Sequence, residues 1–347
     1  MRFRTISKLL VFFLLLPILA TAGDSSAQIT IAAVGDIMMG SDYPVSRLPP
    51  YGGRLLLRDA GPYFRTADIA MANLEGPLYS GDSPAKAATR GRSYVFRTPP
   101  AFAANLKEAG ISMVSLANNH ANDFGPAGLA STKNALRAAG VAYCGKYGEL
   151  AEFAIRGIKV GIITLSFGPP PRSIVHPAEA LAEIAEAAGR YDILILSIHG
   201  GAEGKSATHL VEGAEYFLAE PRGDLIRFAR NAIERGADLV VGHGPHVPRG
   251  MEIYQGRLIA YSLGNFCTSR GISISGASGY APLLLAQLDR TGAFVGGSIE
   301  SFVQKPAAGP RPDVKKRALQ LVRNLAAADF PLSAPLISAA GVIKPRE

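Results

Sequence analysis

"LANNHANDFG" (residues 116–125) places three asparagines, a histidine and an aspartate directly behind an apolar run. The stretch "ISMVSLANN" (111–119) reads as a strand. "GPAGLASTKNALRAAG" (125–140) reads as a helix, with Pro126 in its first turn and Gly140 just past its end. A strand that ends in polar groups and leads into a helix is the unit of a layered α/β fold. In such folds, ligands bind where loops leave the carboxyl ends of the strands. Taken alone, Asn119 is a common turn residue and His120 a cap of that turn. Asp123 has two readings: it orients His120 from behind, or it caps the helix that starts near Pro126.

The same pattern recurs along the chain. "QITIAAV" (28–34) is β-branched and alternating, and ends at Gly35-Asp36. "ADIAMANLEGP" (67–77) runs into Asn73 and Glu75, "YDILILSIHGG" (191–201) ends at His199, and "ADLVVGHGPH" (237–246) ends in His243 and His246. Helices are expected over 100–109, about 177–189, 222–236 and about 312–327, and a hairpin from about 282 to 302 turning at Thr291-Gly292. With no internal repeat and no long linker, this alternation predicts one layered α/β domain over residues 28–304, followed by a C-terminal helix and Pro-rich tail over 305–347. Five strand ends carrying carboxylate, amide and imidazole groups suit divalent ions such as manganese, iron or zinc. Two ions held close together activate a water. His176 and His209 lack this context and read as surface residues, His209 on a helix.

Composition bounds the rest. Hydrophobic content of 48% is ample for a core, and no nucleic-acid-binding motif is present. Residues 1–22 have a basic start (Arg2, Arg4, Lys8), an apolar run too short for a comfortable span, and small residues at Ala20-Thr21-Ala22. They read as a cleaved export signal, with an uncleaved membrane anchor as the alternative. Without those three positive charges the net charge falls from +8 to +5, compatible with a polyanionic partner. Arg90, Arg92 and Arg97 read as a solvated basic loop. Cys144 and Cys267 are the only cysteines, so a four-thiolate zinc site is excluded, while a disulfide is permitted by export.

In order, "AVGDIMMG", "ANLEGPL", "SLANNHANDFG", "HGGAE", "GHGPH" and "YSLGNF" resemble the CapA family of bacterial capsule or poly-γ-glutamate synthesis proteins, related to calcineurin-like metallophosphoesterases. The resemblance runs from about Ile29 to Phe266, and more loosely to about residue 330. It implies a four-layer α-β-β-α sandwich with a two-metal site on one edge. By the resemblance, Asp36 is a ligand of the first metal, Glu75 the bridging carboxylate and Asn119 a ligand of the second. His199 and His243 are further ligands, and His246 completes the set. His120 is the general acid or transition-state stabiliser, with Asp123 behind it. Met38 stands where metallophosphoesterases usually have a histidine, so one site has a ligand fewer. The implied function is that of an exported metal-dependent hydrolase acting on an anionic envelope or capsule polymer or a phosphoester. The alternative is a non-catalytic accessory subunit of a membrane polymer-synthase or export complex.

Overall fold

Two β-sheets lie face to face, each covered on its outer side by helices. The computed structural model describes residues 28–86, 94–169, 171–269 and 271–346. The expected export signal and Arg90 and Arg92 lie outside the described residues. The larger sheet runs in the order Leu336–Ile337, Val342–Lys344, Phe294–Lys305, Tyr280–Asp289, Gln28–Met38, Ile69–Leu74, Met113–Ser115, Ala142–Cys144. Gly309–Pro312 also pairs with Phe294–Lys305, and Asn265–Thr268 with Gln28–Met38. The smaller sheet runs Met251–Tyr254, Arg257–Ala260, Leu239–His243, Ile193–His199, Ile158–Ser166, Ala151–Ile155.

The period-two alternation of strand side chains builds the layers. Ile31, Met71 and Met113 of the larger sheet meet Val160, Ile195 and Leu239 of the smaller one between the sheets. Their neighbours Ala32, Ala72 and Val114 point the other way, onto Phe64, Leu106 and Leu136 of the helices Gly61–Thr66, Ala103–Ala109 and Gly125–Ala139. On the opposite outer face, Ile163, Leu196 and Val240 pack against Ile184, Phe228 and Ala232 of Ala178–Ala188 and Leu225–Glu234. The expected four-layer α-β-β-α sandwich is therefore present. Among the described residues no helix is long and apolar enough to cross a membrane.

Several expectations need correction. The C-terminal helix is Arg317–Asp329, displaced from 312–327. Its Leu319 and Val322 enter the intersheet core, and strands on both sides of it extend the larger sheet. The segment after residue 304 is thus packed into the same body as the rest. His209 lies in a loop, exposed, with Nδ1 2.6 Å from Asp329 Oδ1. Cys144 and Cys267 are free thiols, both buried. Arg97 is mostly buried: it pairs with Asp42 (2.6 Å) and Asp82, and sits over the rings of Tyr43 and Phe124.

"RLIAYSLGNF" (257–266) is the segment that joins the two halves. Arg257–Ala260 belongs to the smaller sheet and Asn265–Thr268 to the larger, so the chain crosses between the sheets at residues 261–264. The crossing brings Gly264 against Gly35: Asp36 N–H donates to Gly264 O at 2.9 Å, and a Cβ on Gly35 would lie 1.8 Å from that oxygen. Only glycine at 35 permits this approach, and the approach sets Asn265 in register with Asp36. Gly35→Ala is expected to cost about 3 kcal/mol, the upper end of the usual overpacking range. The check is a lower urea midpoint at unchanged slope; an unshifted midpoint would show that the two backbones separate freely.

Candidate metal centre

Both sheets direct the carboxyl ends of their parallel strands to one rim. Gln28–Met38, Ile69–Leu74 and Met113–Ser115 are parallel, as are Ile158–Ser166, Ile193–His199 and Leu239–His243. Asp36 pairs in register with Asn73, and His243 with His199. Asp36, Asn73, Glu75, His199 and His243 are essentially without exposure. Glu75, which in isolation could pass for a surface residue, is buried at the floor of the site.

Asn73 ties the first strand ends together. Its Nδ2 donates to Asp36 Oδ1 (2.9 Å) and Glu75 Oε2 (3.0 Å), and lies 3.4 Å from His199 Nδ1. Its Oδ1 accepts from Asn118 Nδ2 at 2.9 Å. Asn118 Oδ1 in turn accepts from His120 N–H at 3.0 Å, so this residue holds the turn that presents Asn119 and His120. Asn119 Oδ1 reaches His199 Nε2 at 3.0 Å. His246 enters from the smaller sheet's loop in a left-handed conformation (φ 58°), which is costly for a histidine. Its Nδ1 contacts Asp36 Oδ2 (3.0 Å) and Asn265 Oδ1 (2.9 Å), while Nε2 faces Glu75 Oε1 at 3.8 Å. Of the six residues expected as ligands, Asp36, Glu75, Asn119, His199 and His246 are linked by these contacts, and His243 ends the strand beside His199.

Asp36, Glu75 and His246 offer ligand atoms that all lie within 4.8 Å of one another. Glu75 Oε1 and both ring nitrogens of His243 are buried and have no hydrogen-bond partner. Buried polar atoms are rarely left this way, because each forfeits about 1–3 kcal/mol of solvation. An orphaned carboxylate oxygen and an orphaned imidazole beside a carboxylate–histidine cluster are what a divalent cation would satisfy. The donor set fits a metal.

Electrostatics agree with that fit. Burial pushes His243 down to about 4 and His199 well below its ordinary value, so both rings are neutral and available as ligands. Burial, together with the charge of Asp36, pushes Glu75 well above the carboxylate range. Burial would also raise Asp36, but the hydrogen bond and charge of His246 outweigh it and hold Asp36 well below. Burial opposes charge on His246, yet the carboxylates of Glu75 and Asp36 raise it to about 10.

His120 stands beside this cluster. Its Nδ1 lies 2.9 Å from Asp123 Oδ2, and its ring packs on Phe96 with centroids 4.4 Å apart. Asp123 also accepts from Phe96 N–H at 2.7 Å, whereas the helix after it starts at Gly125 without a side-chain cap. Of the two readings of Asp123, the orienting one holds and the capping one does not. Sequence reasoning passed over Lys86, which lay in a loop read as exposed. Its Nζ lies 2.5 Å from Asp123 Oδ1 and donates to Asn119 O at 3.2 Å. Asn265 and Glu203 lie within "YSLGNF" and "HGGAE", and neither motif by itself assigns them a role. A groove of about 630 Å³ opens beside the cluster and shares Asn119 with it; Asn122, Lys146, Tyr147 and Phe167 are among its walls.

A profile of the bacterial capsule synthesis proteins PGA_cap matches residues 30–270. The capsule biosynthesis protein CapA of Bacillus anthracis is 27% identical over 266 residues, covering 70% of this chain and 61% of that protein. The PGA biosynthesis protein CapA of Bacillus subtilis is 26% identical over 314 residues, covering 85% of this chain and 77% of that protein. A probable polyglutamine synthesis accessory protein of Mycobacterium tuberculosis is 26% identical over 298 residues, covering 68% and 73%. Among solved structures, the chain is similar to the calcineurin-like phosphoesterase YfkN of Bacillus subtilis, with TM-score 0.46 and 14% identity, covering 88% of this chain and 98% of that one. It is also similar to a 5′-nucleotidase precursor of Thermus thermophilus, with TM-score 0.43 and 16% identity, covering 87% and 59%.

In the metal-free protein at neutral pH, His246 carries a proton, because its value stands at about 10. A ligating imidazole must be neutral, so metal binding displaces that proton. Calorimetric titration with Mn²⁺ at pH 7, in buffers of different ionisation enthalpy, should show release of about one proton or more per protein. Apparent affinity should rise with pH until His246 deprotonates unaided. Binding without proton release would remove His246 from the ligand set.

Proposed function

The chain belongs to the bacterial capsule synthesis protein family PGA_cap, and from that premise we propose that it is an exported, metal-dependent hydrolase of the metallophosphoesterase kind. Its substrate is an anionic envelope or capsule polymer, or a phosphoester, met during capsule or poly-γ-glutamate synthesis or processing. One observation carries the reading: Asp36, Glu75 and His246 converge on one rim, where Glu75 Oε1 and the ring nitrogens of His243 are buried without a protein partner.

Asp36, Glu75 and His246, with Asn119, His199 and His243, are the residues that would hold divalent ions here. Bound divalent ions supply Lewis acidity and a water of lowered pKa. The chain's own contribution is to position and to move a proton. Asp123 keeps the Nδ1 proton of His120 in place, which turns Nε2 toward the substrate side. An anionic group arriving opposite Nε2 favours the imidazolium, and that proton then passes to the leaving atom. Phe96 covers one face of the ring and limits its rotation. Lys86 fixes Asp123 from the far side and adds positive charge at the mouth. The adjoining groove is where the remainder of a polymer lies.

A second reading is a non-catalytic accessory subunit of a membrane polymer-synthesis or export complex. Met38, in place of the usual histidine, favours it, as does the accessory role in the name of the mycobacterial relative. The two readings separate in one assay. The purified protein is supplied with Mn²⁺ and tested on generic phosphoesters and on poly-γ-glutamate. His120→Ala should lower turnover by about 10²–10⁴, the usual worth of a general acid, at unchanged metal content. Asp123→Asn should fall in the same direction. No bound metal, with no hydrolysis by either protein, would leave the accessory reading standing.

A further inference from the structure

We propose that Glu203 is a further carboxylate ligand of this metal centre, supplied from the smaller sheet in compensation for Met38; the inference rests on the metal-binding reading above. Met38 is almost wholly buried, and its Sδ accepts from Gly40 N–H at 3.3 Å. A thioether is in any case a poor donor to the harder divalent ions. Glu203, by contrast, has a carboxylate oxygen to spare. Its Oε1 takes the Arg222 guanidinium at 2.5 Å, while its Oε2 stands 3.9 Å from His246 Nε2.

The placement of Glu203 is built into the backbone. Gly200 N–H donates to His243 O at 2.9 Å, and Gly204 N–H to Pro245 O at 3.0 Å. The loop after His199 is therefore laid along the loop after His243, which sets Glu203 opposite His246. Arg222 is itself fixed: it is buried, pairs with Glu220, and lies over the Phe167 ring at 4.1 Å. Rotation of the Glu203 carboxylate is thus restricted, and Oε2 stays on the His246 side.

The imidazole geometry selects the same atoms. Nδ1 of His246 is occupied by Asp36 and Asn265, which leaves Nε2 as the nitrogen for an ion. Two ligands of one ion at about 2.1 Å are separated by at most about 4.2 Å. Glu75 Oε1 (3.8 Å) and Glu203 Oε2 (3.9 Å) each fall within that limit of Nε2, while Glu203 itself lies outside the set Asp36, Glu75 and His246, whose ligand atoms all lie within 4.8 Å of one another. Glu75 Oε1 is buried and unpartnered, and so has a lone pair to offer a cation.

Glu203→Gln preserves volume and an acceptor for Arg222, so the fold should survive. Glu220→Gln serves as the control, since Glu220 pairs with the same arginine. The readout is Mn²⁺ stoichiometry and affinity, followed by the EPR signal of free Mn²⁺, beside the melting temperature of the metal-free proteins. Glu203→Gln should lose one equivalent of Mn²⁺ or weaken its binding by at least about tenfold, with the metal-free melting temperature unchanged. Glu220→Gln should bind as the wild type does. Equal stoichiometry and affinity in Glu203→Gln and wild type would overturn the assignment while leaving the metal centre intact. Equal weakening in both variants would reduce Glu203 to a partner of Arg222. A wild-type chain that binds no Mn²⁺ would overturn the assignment and the hydrolase reading together.

Discussion

The side-chain amide of Asn73 is the tie on which the rim depends. Two buried carboxylates, Asp36 and Glu75, end adjacent parallel strands and repel each other. Asn73 Nδ2 donates to both, and Asn73 Oδ1 receives the amide of Asn118. Hydrogen bonds to charged groups are worth about 1.5–3 kcal/mol each, enough to offset part of the desolvation of the two acids. No charged residue could replace this amide. A lysine would neutralise the pair and displace any metal, and an aspartate would add a third repulsion. An asparagine holds the carboxylates in place while leaving Asp36 Oδ2 to His246 and Glu75 Oε1 without a partner. Because the same amide reaches Asn118, the order of the carboxylates is passed on to the turn that presents Asn119 and His120.

The centre also spans both sheets. Asp36, Asn73 and Glu75 come from the larger one, His199 and His243 from the smaller. The two halves meet over the intersheet core, where Gly264 also crosses over Gly35 and His246 adopts a left-handed backbone. That strained conformation, about 1–3 kcal/mol above an ordinary one, is sustained by the contacts of the imidazole with Asp36 and Asn265. Asn265 also donates to His246 O at 3.1 Å, so side chain and main chain are held by the same residue. Loosening the intersheet core would therefore reach the site first through His246, whose position is fixed by tertiary contacts and not by its own turn.

Much of this was legible in the sequence, because strand ends are marked by a change from apolar to polar residues. "QITIAAV", "ISMVSLANN" and "YDILILSIHGG" announce both the strand and the group that it delivers. A layered α/β domain follows from strand–helix alternation, and the resemblance to the capsule synthesis family supplies the expectation of four layers. What was not legible depends on contacts between distant segments. Nothing local to "YSGDSPAKAATRGR" shows that Lys86 folds back onto Asp123. Nothing local to "RLIAYSLGNF" shows that it changes sheets between Ala260 and Asn265. The spacing of His243 and His246 in a Gly/Pro turn leaves their common direction open until the left-handed backbone at 246 is seen. Arg97 misleads for the same reason: a basic residue among glycine and serine reads as solvated, yet Asp42 and Asp82 neutralise it in a mostly buried place.

The protonation pattern gives the metal-free centre a definite character. His199 and His243 are neutral, while His246 carries a charge that Glu75 and Asp36 impose. The imidazolium of His246 occupies the electrostatic role of a cation among acids that would otherwise repel one another. It does so imperfectly, since one ring cannot satisfy Glu75 Oε1 and His243 together, and those atoms remain without partners. A divalent ion carries twice the charge and accepts several donors at once, so it completes what the ring leaves undone. The donors are oxygens and nitrogens with no thiolate among them, a set that fits a divalent cation better than a soft one. On this argument, the same acids that force a proton onto His246 are those that reward its exchange for a metal.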